Sequence, residues 1–165
     1  MDSRTPSAWA AFAFLGVAGM VLLLGACAAP PPAEKAPPPT TIRAQLQATA
    51  DVNPDIDGRP SPVVVRFYEL RSVGGFQSAD FFSLYDNEAG TLGPELLARE
   101  AFTMRPGEQR SVTKTAEPEA QFVAVMAGYR DIDSARWRAT LELRPHADNV
   151  LVIELGRDAV SIKAR

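Results

Sequence analysis

The chain is poor in the side chains that most chemistry uses. Its 165 residues include one cysteine, Cys27, and one histidine, His146. A disulfide within the chain is therefore impossible, and no zinc site can be assembled from Cys and His alone. A Ser-His-Asp arrangement would have to use His146, which lies in the polar turn RPHADN with no nucleophile-elbow pattern nearby. It reads as a surface turn residue. Gly74-Gly75 lacks the lysine of a phosphate loop. The twenty acidic residues single out no local catalytic pair, and Asp131 and Asp133 in YRDIDSARW read as a hairpin turn with an acidic edge. An excess of basic charge is missing as well. The net charge is −3 and the pI about 5.2, against the clustered basic face that nucleic acid requires. Nothing asks for a cofactor or points to an enzyme.

Charge is wholly absent between Arg4 and Glu34. Ala8 to Leu24 reads AWAAFAFLGVAGMVLLL, and small residues then lead to the cysteine in Leu24-Gly25-Ala26-Cys27. A basic start, an apolar run and a small-residue site describe a secretory signal. A plain membrane anchor would prefer about 20 apolar residues. The ending resembles the lipobox of bacterial lipoproteins, in which the signal is cut before a lipidated Cys. The resemblance implies a signal peptide over residues 1–26 and a lipid on Cys27. Ala28 rather than Asp follows it, which in that family suits sorting to the outer membrane.

Six of the ten residues from Pro30 to Pro39 are proline. Residues 27–40 thus form the lipidated Cys with an extended spacer. At ~3.1 Å per residue, the thirteen positions from Ala28 to Thr40 span at most about 40 Å.

From residue 41 to 165 the period of the sequence is two. Ile42, Ala44, Leu46, Ala48 and Ala50 alternate with polar residues, as in a half-buried strand. PVVVRFYEL (62–70) is a second strand, and 101–105 a third, closed by the turn Pro106-Gly107. Further strands are expected over 109–115, 121–129, 137–143, 150–155 and 159–164. QFVAVMAGY (121–129) is apolar on both faces and so belongs centrally. About eight short strands at this spacing predict an all-β fold, a two-sheet β-sandwich. One segment breaks the period. SADFFSLYDN (78–87) has helical spacing behind a capping Ser78, and Gly93 to Leu97 reads as a second short helix with proline in its first turn. A short helical insertion is thus expected between the second and third strands.

NPDIDGRPSP (53–62) joins the first two strands. Asn53, Asp55, Asp57 and Gly58 begin like a calcium loop, but the twelfth position, which should hold a bidentate glutamate, is Val64 inside a strand. The metal reading fails. On its residues alone the segment is an idle connection, although its prolines restrict it enough to present Asp55, Ile56, Asp57 and Arg59 at low ordering cost.

The run from Asn53 to Leu70, NPDxxGRPSPVVVRFYEL, is similar to the signature of the TssJ family of type VI secretion outer-membrane lipoproteins. The likeness continues through Phe76, Ala79-Asp80-Phe81, Leu84, Leu92-Gly93, Arg105-Pro106-Gly107-Glu108, Tyr129-Arg130-Asp131 and Trp137-Arg138. The resemblance implies a transthyretin-like sandwich with an added helical segment and no enzymatic activity. It also implies a place on the periplasmic face of the outer membrane. The implied partner is the periplasmic C-terminal part of the inner-membrane protein TssM, with TssL joined through TssM. The family's partner-binding loop maps here onto Asn53, Pro54, Asp55, Ile56, Asp57, Gly58 and Arg59. Two other readings stay open. One is a ligand-binding lipoprotein for a sugar or peptide, stacking it on Trp137, Tyr68 or the Phe81-Phe82 pair; the other is a periplasmic hydrolase. Phe76, Phe81 and Tyr85 would offer a second contact if exposed.

Overall fold

The computed structural model describes residues 36–165. The expected signal peptide and Cys27 lie outside these residues. Eight strands form two four-stranded sheets. The strands are β1 (Thr41–Ala48), β2 (Val63–Leu70), β3 (Leu96–Met104), β4 (Gln109–Thr115), β5 (Phe122–Gly128), β6 (Arg138–Glu142), β7 (Asp148–Leu155) and β8 (Val160–Ala164). The first sheet has the order β4-β1-β7-β8 and the second β3-β2-β5-β6. Neighbours are antiparallel except β1 and β7, which run parallel from Thr41 beside Asp148 to Ala48 beside Leu155. The expected β-sandwich is the fold found.

Alternation places the core. Ile42, Ala44, Leu46 and Ala48 of β1 turn inward while Arg43, Gln45 and Gln47 face out. They meet Val63, Val65 and Phe67 of β2, Val123, Val125 and Ala127 of β5, and Leu151, Ile153 and Leu155 of β7. The residues of the second sheet that point the other way are apolar too. Tyr68, Leu70, Ala124 and Met126 pack under Phe76, Leu84 and Leu92 of a helical segment. Each fully buried Phe or Leu there contributes roughly 1.5–3 kcal/mol. β5 therefore lies centrally, buried on both faces, as its composition predicts.

That segment comprises α1 (Gly74–Ser78), α2 (Phe81–Leu92) and a 3₁₀ turn over Gly93–Glu95. Two details differ from expectation. The cap of α2 is Asp80, whose carboxylate accepts from the Ser83 amide at 2.9 Å and the Ser83 hydroxyl at 2.6 Å. Ser78 instead ends α1, its hydroxyl donating to the Gly75 carbonyl. Both residue types cap helices, and an ionised carboxylate satisfies two donors at once. The second difference is that Pro94 starts only a single turn. Leu96 then enters β3 beside Leu70, five residues earlier than the pattern indicates, with a bulge where Glu69 gives way to Leu70.

Glu69 is fully buried between the sheets at the β3–β4 edge. One oxygen accepts from the Glu117 amide at 2.7 Å. The other lies 2.6 Å from Lys114 Nζ, an ion-pair distance outside hydrogen-bonding direction. Lys114 also reaches Glu100 at 3.1 Å. Burial pulls the ammonium pKa down, but the adjacent Glu69 and Glu100 carboxylates outweigh burial and leave it above the usual lysine value. Removing one partner of such a pair strands a buried charge. Lys114→Met is expected to lower the unfolding free energy by about 2–4 kcal/mol, the modest end because Lys114 keeps a quarter of its side chain exposed. Urea denaturation checks this, and adding Glu69→Leu should recover part of the loss.

Candidate docking face

The candidate loop is built from its legs inward. Val52 is buried at its start, and the Ser61 amide donates to the Val52 carbonyl at 3.1 Å, closing the base. Asn53 follows, 3% exposed and in a left-handed conformation with φ of 49°. Asn is among the few residues that tolerate this. Its position makes three bonds. Its amide donates to the Arg157 carbonyl at 2.9 Å, its Nδ2 donates to the Pro62 carbonyl at 2.7 Å, and its Oδ1 accepts from the Arg130 amide at 2.7 Å. The side chain thus fastens the β1–β2 loop to the β5–β6 connection, and the backbone amide fastens it to the β7–β8 turn.

Beyond Asn53 the tip folds on itself. Asp55 Oδ1 accepts from the amides of Asp57 at 3.0 Å and Arg59 at 2.9 Å, while the Gly58 amide donates to the Asp55 carbonyl. Arg59 bridges both acids, with Nε 2.8 Å from Asp55 Oδ2 and a terminal nitrogen 2.9 Å from Asp57 Oδ2. Gly58 has φ of 79°, and an added Cβ would meet nothing within 4 Å, so conformation rather than space requires glycine there. The Arg59 amide and guanidinium hold the Asp55 carboxyl below its usual pKa. The acids are occupied by Arg59, an arrangement that orders a turn and does not converge on a cation. What the turn presents is Ile56, 101% exposed at the apex.

The loop borders an open cleft of about 700 Å³ lined by Pro54, Ile56, Tyr129, Arg130, Asp131 and Arg157 among others. Tyr129 forms its floor, with its hydroxyl donating to the Gly156 carbonyl at 3.3 Å. Pro54 to Arg59 therefore come together as one surface, held on the buried Asn53. Local patterns do not reveal the contributions of Arg130 and Arg157, although Tyr129-Arg130-Asp131 is among the motifs that resemble the TssJ family.

The other candidates fall elsewhere. His146 sits in the β6–β7 turn at the opposite end, its ring Nδ1 3.0 Å from the Pro38 carbonyl and its amide donating to Thr40 Oγ1. Tyr68 and Phe76 are fully buried, edge to face at 5.6 Å, and belong to the core. Tyr68 offers no stacking platform because its hydroxyl is spent on Glu88 beneath α2. Phe82 and Tyr85 are exposed.

These features define a β-sandwich module whose polar groups brace three loops at one end. Over residues 40–158 the sequence matches the profile of the type VI secretion lipoproteins (VasD, EvfM, TssJ, VC_A0113), and the chain belongs to that family. It is similar to the T6SS lipoprotein TssJ1 from Pseudomonas aeruginosa, with 38% identity, a TM-score of 0.76, and coverage of 78% of this chain and 98% of that one. Serratia marcescens Lip, a membrane-bound component of the type VI secretion system, shares 26% identity at a TM-score of 0.69, covering 77% of this chain and 96% of Lip. A chain in the structure of the T6SS protein TssM C-terminal domain from EAEC matches at 25% identity and a TM-score of 0.60, over 76% and 98% of the two chains. Among curated protein sequences none matches.

Asn53→Ala would strand the Arg130 amide and the Pro62 carbonyl and strain a left-handed backbone, at a cost of about 2–4 kcal/mol. Hydrogen exchange should show the Arg130 amide opening faster than amides of β5. The depressed Asp55 pKa sets a second expectation. Its contribution to loop order is whole above the unfolded value near 3.9 and fades as pH falls through the lower folded value. Carbon NMR should place the Asp55 carboxyl midpoint below 3.8, with the Asp57 and Arg59 amide shifts following the same curve.

Proposed function

We propose that this lipoprotein is a non-enzymatic tether of the type VI secretion membrane complex. In this reading Cys27 carries lipid in the periplasmic leaflet of the outer membrane, and residues 27–40 space the sandwich from that surface. The Asn53–Arg59 loop holds the periplasmic C-terminal domain of TssM, and through TssM the lipoprotein is linked to TssL. Family membership supports the setting, as does the likeness to a chain in the TssM C-terminal domain structure.

The carrying observation is Ile56, fully exposed on a turn already ordered by Asp55 and Arg59. A preordered turn avoids ordering costs of roughly 0.5–1.5 kcal/mol per immobilised side chain. Its placement fits a tether. The chain enters β1 at Thr41, beside Ala147 and Asp148, and leaves it at Ala48. At ~3.3 Å per residue the loop starts about 25 Å from the point of entry, so a membrane-side spacer leaves the docking end free. On the membrane side, each buried methylene of an acyl chain adds ~0.8 kcal/mol, and more than one chain makes anchoring stable.

One flotation experiment tests both ends. Outer-membrane vesicles carrying the lipoprotein are mixed with the periplasmic domain of its own system's TssM and spun through a density gradient. The wild type should carry the domain upward. A variant with Asp55 to Arg59 replaced by a Gly-Ser linker should float alone, and Cys27→Ser should leave both at the bottom although they still bind each other. Equal flotation of the partner with the linker variant would overturn the docking reading.

A further inference from the structure

Four large apolar side chains stand exposed among the described residues: Ile56, Val64, Phe82 and Tyr85. Single exposed apolar residues are ordinary on any surface. These four are not scattered. Val64 opens β2 just after the loop that carries Ile56, and opposite it across the sheet lies Gly128 of β5. The Tyr85 ring reaches to that same glycine, within 3.8 Å of where a Cβ would stand. Tyr85 stacks on Phe81 at 5.3 Å, and Phe81 in turn meets the edges of Phe82 and Trp137, each at 5.3 Å. The β5–β6 connection joins the two regions. Its Tyr129, Arg130 and Asp131 line the loop cleft, while Ile132 and Asp133 line a hollow with Phe81, Phe82 and Trp137.

The aromatic group is also braced by two arginines. The Arg66 guanidinium lies 4.4 Å over the Tyr85 ring and is fixed by the Leu84 carbonyl at 3.1 Å and Glu88 at 2.9 Å. Arg138 sits over Trp137 and donates to the carbonyls of Phe76 and Ala79, which sets the start of α2. Rigid aromatics give large contact area at little entropic cost.

We infer that the partner's footprint runs from Ile56 across the β5–β6 connection to an aromatic shelf of Val64, Phe82 and Tyr85, where an apolar segment of the same periplasmic partner docks. This rests on the docking reading above and names a second contact for it. The shelf lies at the loop end of the sandwich, away from Thr41 where the chain enters, so its occupant is a protein in the periplasm and not the lipid in which the tether is held.

The test is calorimetric titration of the full-length lipoprotein, in detergent, with the TssM periplasmic domain. Phe82→Ser, at a residue 61% exposed, should leave the melting temperature unchanged and weaken binding about tenfold. Val64→Thr keeps the β-branched shape, protects the strand, and should weaken binding about threefold. Ile56→Ser is run alongside. Weakening by all three variants supports the shelf. Loss with Ile56→Ser but none with Phe82→Ser or Val64→Thr overturns the shelf and leaves the loop intact. Weakening by the shelf variants alone would overturn both the loop reading and the continuous footprint drawn from it. Sedimentation of the lipoprotein without partner covers the remaining occupant. Self-association abolished by Phe82→Ser, with partner binding unchanged, would assign the shelf to a second copy and overturn the inference.

Discussion

A sheet with two apolar faces has to be covered twice. The β3-β2-β5-β6 sheet meets the other sheet with Val65, Phe67, Val123 and Val125, and its reverse side carries Tyr68, Leu70, Ala124 and Met126. Left bare, that reverse side would be a large apolar patch beside two edge strands. The insertion between β2 and β3 answers this directly. Phe76, Leu84 and Leu92 close over it, and the Arg66–Glu88–Tyr68 cluster fastens α2 to the strands. The helical segment is thus a consequence of sheet composition. Its position also decides which aromatics remain outside, since Phe82 projects into solvent and Tyr85 lies at the margin of the covered area, its ring edge reaching Gly128 of β5.

At the loop end, order is divided between a fixed base and a self-contained tip. Asn53 spends its bonding capacity on three separate chain segments, all within a buried setting where each unmet group is costly. The tip relies on Asp55 and Arg59, whose exposed ion pair adds little free energy but whose bonds to backbone amides define one turn. The base thus keeps its position through buried bonds to the sandwich, and the tip keeps its turn through bonds of its own. Burial is concentrated at the base, at Val52 and Asn53, and exposure at Ile56 on the tip.

Much of the architecture was legible from period alone. The inward rows of β1 and β7, the doubly apolar β5 and the helical break after β2 all follow from which positions are apolar. Local rules failed where two residues compete for one role or where pairing decides. Ser78 and Asp80 both make good caps, and only the fold shows that Arg138, sixty residues away, ends α1 between them. Gly93 to Leu97 reads as a short helix from its proline and spacing, and Leu96 and Leu97 become strand only because β2 supplies a partner. The loop was visible as a contiguous, proline-framed segment, but its brace was not, because Arg130 and Arg157 reach it through the sandwich. Nor does helical spacing distinguish buried Phe76 from exposed Phe82. That depends on which way the helix lies on the sheet.

The position of β1 has a mechanical consequence for the proposed tether. The chain enters β1 at Thr41 and the loop leaves it after Ala48, so in that proposal a pull between membrane and partner acts along the axis of this one strand. β1 lies inside its sheet, paired along its length to β4 on one side and β7 on the other. Because both ends of the pull lie on one strand that is already extended, the covalent backbone of β1 carries the tension and the ladders on either side are not asked to shear. The strand best placed to resist extension is the one that connects the two points where force would enter.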